Sequence, residues 1–325
     1  MRRLKRYIIA LFALLLLIVT SVLLLQLYVF STTTICTDDF SSFYLDKYQH
    51  LEESSSPRMI FVGDSNLNYT LASERLAEEF PYTIINMSSK SVIGLRFDLE
   101  RLRLQIKDND VIVISGTFAQ FIVDKASFNS SKHKWLWGLM VMDVNHFQYV
   151  THPQQWWHII DENTNQLLKR IVGNQLFSPD CVYIVGNERQ TTDFNQYGDY
   201  VGHLDRPSLG RDYSNFTLLT SQLNPDTVEY LNMYAQFVDD RGGTFLFAYP
   251  AYPQGYWLNS ESTVLDFHTK AQREFEFDIL GQPQNYWLSN ELLYDTFSHG
   301  TAEGRLQRTE QLILDLKTYF LAIGS

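Results

Sequence analysis

The sequence predicts an α/β domain, a mainly parallel sheet layered between helices, carried behind an N-terminal transmembrane helix. Two observations predict the sheet. Short, nearly continuous apolar runs occur at 59–62, 83–86, 111–114 and 244–248, rich in the β-branched and aromatic residues that suit strands covered on both faces. Between the first three, apolar residues recur at helical spacing, and strands that alternate with helices join in parallel through right-handed crossovers. A third observation sets the membrane helix: Arg2, Arg3, Lys5 and Arg6 precede a run, 7–30, with no charged residue. At a rise of ~1.5 Å per residue, 24 residues extend ~36 Å, enough to cross ~30 Å of hydrocarbon.

The basic cluster before that run places the N-terminus in the cytoplasm and everything after Ser31 outside. A retained anchor is expected rather than a cleaved signal, because the run exceeds a typical signal core and 30–34 offers no small-x-small site. Residues 1–30 are thus basic tip and anchor. Residues 31–57, with Ser/Thr at 31–34 and Ser54-Ser55-Ser56-Pro57, read as a juxtamembrane linker with one aromatic segment at 40–48. The main domain is 58–325. Its first strand ends at Gly63-Asp64-Ser65-Asn66, a turn covers 66–70, and Leu71, Ala72, Leu76 and Phe80 mark a helix. After the second strand, Gly94 precedes a helix with Leu95, Leu99, Leu102 and Ile106 on its apolar stripe. The polar turn 107–110 leads into the third strand.

From 116 to 223 the alternation breaks down, and the stretch reads as an insertion on the functional edge, rich in Trp and Tyr and poor in long helices. Asn224 as N-cap and Pro225 at the first position restart a helix, which Arg241-Gly242-Gly243 ends. A fourth strand at 244–248 leaves through 249–253 at the same edge. A helix within 262–279, a turn at Gly281-Gln282-Pro283, an extended piece near Tyr286 and a last helix at 302–320 complete the chain.

Composition excludes some functions. Setting aside the four N-terminal basic residues leaves 22 Lys and Arg against 37 Asp and Glu, a net charge near −15 on the external part, which disfavours nucleic acid. Arg96, Arg101 and Arg103 are the candidates for a locally basic patch, or form an ordinary solvated helix face. His146, His152 and His158 recur every six residues, a spacing that fits neither one helix face nor a compact ligand pair, so no metal site is expected. Trp135, Trp137, Trp156 and Trp157 suit packing, contact with sugar rings, or contact with a membrane. The two cysteines, Cys36 and Cys181, are either unrelated thiols or a disulfide in an oxidising compartment.

Functional residues of parallel sheets gather at the C-terminal strand ends, where Ser65, Asn86 and Ser115 fall. Gly63-Asp64-Ser65-Asn66 also reads as an ordinary β-to-α turn with Asp or Ser as N-cap. Its partner stretch lies near the other end. Tyr294-Asp295-Thr296-Phe297-Ser298-His299 places an acid and a histidine four residues apart, just before the last helix. A serine hydroxyl is a weak nucleophile and needs a base, ordinarily histidine, whose tautomer a carboxylate fixes. Ser65, His299 and Asp295 supply those three roles.

At these residues the sequence resembles the SGNH or GDSL-like hydrolases, and within them a membrane-anchored branch among bacterial envelope and exopolysaccharide proteins. Four stretches carry the resemblance: Gly63-Asp64-Ser65-Asn66; Asn86 through Gly94-Leu95-Arg96-Phe97; the run from Phe194 to His203, with Tyr197-Gly198-Asp199; and Tyr294-Asp295 through Arg308-Thr309. The resemblance implies a three-layer α/β/α sandwich of flavodoxin-like type and an acyl-Ser65 intermediate. It gives Asp64 and Asn66 supporting roles in the turn, and makes the Ser65 and Gly94 N–H groups oxyanion donors. A third donor, an asparagine after the third strand, has no counterpart in Gly116-Thr117-Phe118, which leaves the Thr117 hydroxyl as the substitute. One lost donor is worth ~3 kcal/mol of transition-state stabilisation. The stretch with Tyr197, Asp199 and His203 is expected to form a loop over the cleft, facing substrate.

By this resemblance the protein is a membrane-anchored, extracytoplasmic serine esterase or O-acyltransferase. Its substrate is an acyl, by expectation acetyl, ester of a cell-envelope or exopolysaccharide glycan, beside polysaccharide-assembly proteins and without a cofactor. The competing reading is a catalytically degenerate, glycan-binding or scaffold protein on the same fold.

Overall fold

The computed structural model describes residues 2–36, 43–123, 128–129, 133–177, 181–184 and 193–324. The chain divides into two compact units, Met1–Asp39 with Lys132–Gly186, and Phe40–Ser131 with Asn187–Ser325. The second unit is the α/β domain. Its five strands are β1 (Arg58–Gly63), β2 (Thr83–Asn86), β3 (Val111–Ser115), β4 (Thr244–Ala248) and β6 (Asp278–Leu280). They pair in the order β2-β1-β3-β4-β6, every pairing parallel. Side chains alternate across a strand, so β1 sends Ile60 and Val62 to one face and Met59 and Phe61 to the other. Helices α5 (Leu95–Arg103), α8 (Pro225–Asp239) and α9 (Gln254–Glu274) cover the first face with Leu99, Leu231 and Phe267. The second face is covered by α3 (Ser65–Thr70), α4 (Ser73–Glu79) and α10 (Ala302–Ile323) through Leu67, Leu76 and Leu312. A separate parallel pair joins β5 (Tyr252–Pro253) to β7 (Trp287–Leu288).

Three elements differ from the sequence reading. The stretch read as linker contains α2 (Phe43–Glu53), whose Phe43, Tyr44, Lys47, Tyr48 and Leu51 are buried, while residues 40–42 lie outside the described residues. The turn expected at 66–70 is the helix α3, because the Asp64 carboxylate caps it by accepting from Asn66 N at 3.0 Å. Residues 278–280 are a fifth strand rather than the tail of a helix, paired through Phe247 and Ala248. The guanidinium groups of Arg96, Arg101 and Arg103, the candidates for a basic patch, lie over the rings of Tyr230, Tyr48 and Phe237.

The first unit contains α1 (Arg2–Thr32), α6 (His133–Met142) and α7 (Pro153–Val172). A 20-residue α7 falls where few long helices were expected. Its start is set by His152, whose ring accepts from Gln154 N while Gln155 reaches back to the His152 N–H. Trp137 is buried and donates to Asn163 Oδ1 at 3.2 Å. Cys36 and Cys181 are joined in a disulfide, beside a bridge between Ile35 and Val182.

Candidate active site

Gly63 ends β1 where no side chain fits, since a Cβ there would lie 2.0 Å from the Ser115 carbonyl oxygen. The chain therefore turns at once into α3, with Ser65 in its first turn at the C-terminal edge of the sheet. Asp64 holds this turn from both sides. One carboxylate oxygen caps α3, and the other accepts from Thr117 N at 2.9 Å and from Thr117 Oγ1 at 2.7 Å. Asp64 thus ties the start of α3 to the Thr117 turn, and the Thr117 hydroxyl proton is donated to it. Asn66 is a clamp. Its Nδ2 donates to the carbonyls of Ala251 at 2.7 Å and Ser298 at 2.9 Å, tying the β4 exit and the His299 loop to α3. Gly94 caps α5 at φ +96°, in a region that favours glycine. Its loop is held to the Thr117 turn by Gln120, which accepts from Leu95 N and donates to Ser91 O.

Asp295 and His299 meet because their loop is closed at its base. Leu293 and Gly300 form an antiparallel bridge, and Tyr294 N donates to His299 O at 2.8 Å. His299 Nδ1–H then donates to Asp295 Oδ1 at 2.6 Å, which leaves Nε2 as the acceptor for the Ser65 hydroxyl at 2.9 Å. The three residues thus form one hydrogen-bonded chain, with His299 nearly buried at 7% exposure and Ser65 partly open. This arrangement permits a proton to leave Ser65 for an imidazole whose tautomer and charge a carboxylate supports.

Tyr69 was missed in the sequence. Its ring stacks on His299 with centroids 3.7 Å apart and planes 4° apart, locking the imidazole plane. The available signal was spacing: Ser65 and Tyr69 are four apart on α3 and share a face.

Two residues of the stretch expected to face substrate are instead internal. Asp199 and His203 are fully buried, and Tyr197 is half-buried with its carbonyl accepting from Asn86 N. Asp199 accepts from Ser73 N and Oγ, Asn86 Nδ2 and Arg305 Nη2, at 2.6–2.9 Å, joining α4, β2 and α10. His203 Nε2–H donates to the Gly300 carbonyl at 2.9 Å, next to His299 in sequence, and its ring lies among Tyr69, Tyr200 and Tyr294. Burial, aided by His299 and Arg305, pushes His203 from the ordinary 6.5 down to about 4, against the pull of the Gly300 carbonyl.

Behind α3 a second buried polar group was invisible in the sequence, because its members come from 47, 68, 88, 89 and 98. Lys47 Nζ donates to Asn68 Oδ1 and Ser88 O, both at 2.7 Å, and Ser89 Oγ donates to Asp98. Burial lowers Lys47 to about 7 despite Asp199 and Asp98, and raises Asp98 to about 7.

An apolar cavity of about 150 Å³ is lined by Thr117, Phe118, Leu218, Tyr252, Tyr256 and Phe297 among others. Of these, Thr117 is hydrogen-bonded to Asp64, and Phe297 lies in the loop that carries Asp295 and His299. A comparison with protein-family models finds no match, and a comparison with curated proteins finds none either.

Proposed function

We propose that this protein is a membrane-anchored, extracytoplasmic serine esterase or O-acyltransferase of the SGNH kind, acting on acyl esters of a cell-envelope or exopolysaccharide glycan. The observation that carries the reading is the chain Ser65–His299–Asp295, at 2.9 and 2.6 Å, on the edge of a parallel sheet where such chemistry is sited. Ser65 Oγ attacks the ester carbonyl as its proton passes to His299 Nε2. Asp295 stabilises the imidazolium, and the Ser65 and Gly94 N–H groups receive the oxyanion. Collapse breaks the ester C–O bond, and the departing sugar oxygen takes the proton from His299. Water or a second sugar hydroxyl then repeats the sequence on acyl-Ser65 and regenerates the serine. The apolar cavity supports an acyl chain longer than acetyl, because its volume of about 150 Å³ is roughly ten times the ~10–15 Å³ that admits one water. The Cys36–Cys181 bond supports an oxidising compartment, and α1 supplies the anchor.

One observation favours the scaffold reading: Asp64 occupies both donors of Thr117, so the third oxyanion donor has no replacement there. Reaction of the purified protein with a fluorophosphonate probe separates the two. Labelling lost in both Ser65→Ala and His299→Ala is the expected result. A native fold that never labels, or labels equally in Ser65→Ala, overturns the enzyme reading in favour of the scaffold.

A further inference from the structure

We infer that the helical unit seats in the outer interface of the bilayer through one side of α7, the partner of that surface being lipid. The inference rests on α1 spanning a membrane and is independent of any chemistry at Ser65. Along α7, Trp157, Ile160, Leu168 and Ile171 are 67, 55, 54 and 50% exposed. With Thr164 they recur at intervals of three and four, a single stripe. Trp156 flanks the stripe on one side, while Asp161, Asn165 and Lys169, four apart, run beside it on the other. Only Val172, 84% exposed in the last turn, breaks the pattern on the polar side; along the rest of α7 a helix facing only water has no reason to separate its exposed surface in this way.

Depth identifies the occupant. Gln26 lies four residues inside the uncharged run that ends at Phe30, ~6 Å below its end along the helix axis. Its side chain is paired with α7: Nε2 donates to Thr164 Oγ1 at 3.1 Å, and Oε1 accepts from Asn163 Nδ2 at 2.6 Å. Further along, Arg170 Nη1 donates to Thr32 Oγ1 at 2.7 Å. The middle of the α7 stripe therefore lies at the level of apolar α1 surface, where Leu23, Leu24 and Leu27 are themselves exposed. Phe177, 78% exposed, extends the same surface, its ring 5.9 Å from that of Tyr28. Lipid that covers α1 to Phe30 meets the stripe at Thr164. Penetration of ~5–10 Å is that of interfacial helices, and Trp is the residue enriched at that boundary.

The test uses the full-length chain in phosphatidylcholine/phosphatidylglycerol vesicles. The two native cysteines pair with each other, so a nitroxide label goes to one engineered thiol at a time: Trp157→Cys, Ile160→Cys, Leu168→Cys, Ile171→Cys, Lys169→Cys and, within α1, Leu15→Cys. Labels on the stripe should collide more with oxygen than with a water-soluble nickel chelate, as at Leu15→Cys, and Lys169→Cys should reverse that order. Nickel exceeding oxygen on the stripe, with Leu15→Cys still lipid-like, puts the stripe in water and overturns the inference while the anchor stands. Low collision with both reagents on the stripe means that protein covers it, and also overturns it. A Leu15→Cys label that is not lipid-like removes the anchor and the inference together.

Discussion

His203 makes stability depend on one buried proton. Its Nε2–H donates to the Gly300 carbonyl, so Nδ1 carries the lone pair, buried and without a partner. Protonation would create a charged, unpaired N–H in an aromatic pocket, the costly case of burial, and this is why the group is pushed down to about 4. An unfolded chain takes up that proton near 6.5. Between the two values the unfolded state binds the proton and the native state does not. The stabilisation is therefore complete above pH 6.5 and drains away as pH falls toward 4. Linkage gives a loss of about 2 kcal/mol between pH 7 and pH 5 from this residue. His203→Gln, whose amide can still donate to Gly300, does not titrate and should lack that part of the acid slope. Urea unfolding of the full-length protein in detergent at pH 7 and pH 5 measures the difference, and NMR of the imidazole carbons measures the titration itself. Equal acid slopes in wild type and variant, or a His203 titration near 6.5, would refute the reasoning.

Three further outcomes are expected. Asp199→Ala leaves Arg305, 3% exposed, without its buried partner and should cost about 3–5 kcal/mol in thermal or urea unfolding; a loss under about 1 kcal/mol would mean that this hub is not structural. Asp295→Asn keeps the loop but disturbs the His299 tautomer and should slow fluorophosphonate labelling by about 10³–10⁴, a near-normal rate counting against Asp295 as the orienting acid. If the cavity holds the acyl chain, kcat/KM for p-nitrophenyl esters should rise up to about fourfold per methylene from acetate to butyrate, at ~0.8 kcal/mol for each buried methylene. Ala119→Leu, at a position that lines the cavity, should abolish that rise, and a flat series in the wild type would place the chain elsewhere.

The sequence by itself determined the elements whose signal is local. Apolar runs such as 111–114 read as strands because a strand covered on both faces buries its successive side chains on either side. The Asn224-Pro225 cap marked the start of α8, and the basic flank with its uncharged run marked α1. Ser65, Asp295 and His299 were legible because each stands at a conspicuous break, a strand end or a loop before a helix. What only the tertiary structure decided was set by partners far away in the chain. Three residues, 278–280, carry too little pattern to announce a strand until Phe247 and Ala248 pair with them. Lys47 and Tyr48 resemble linker residues until burial in the α/β unit makes α2 part of it. Thr117 looked available and is occupied by Asp64, while Asp199 and His203 looked suited to substrate and are enclosed by Arg305, Ser73 and a ring of tyrosines. Periodicity reports which face of an element is apolar. Whether a polar side chain meets solvent or a buried partner depends on residues from about twenty to more than a hundred positions away, and that is decided only when the chain packs.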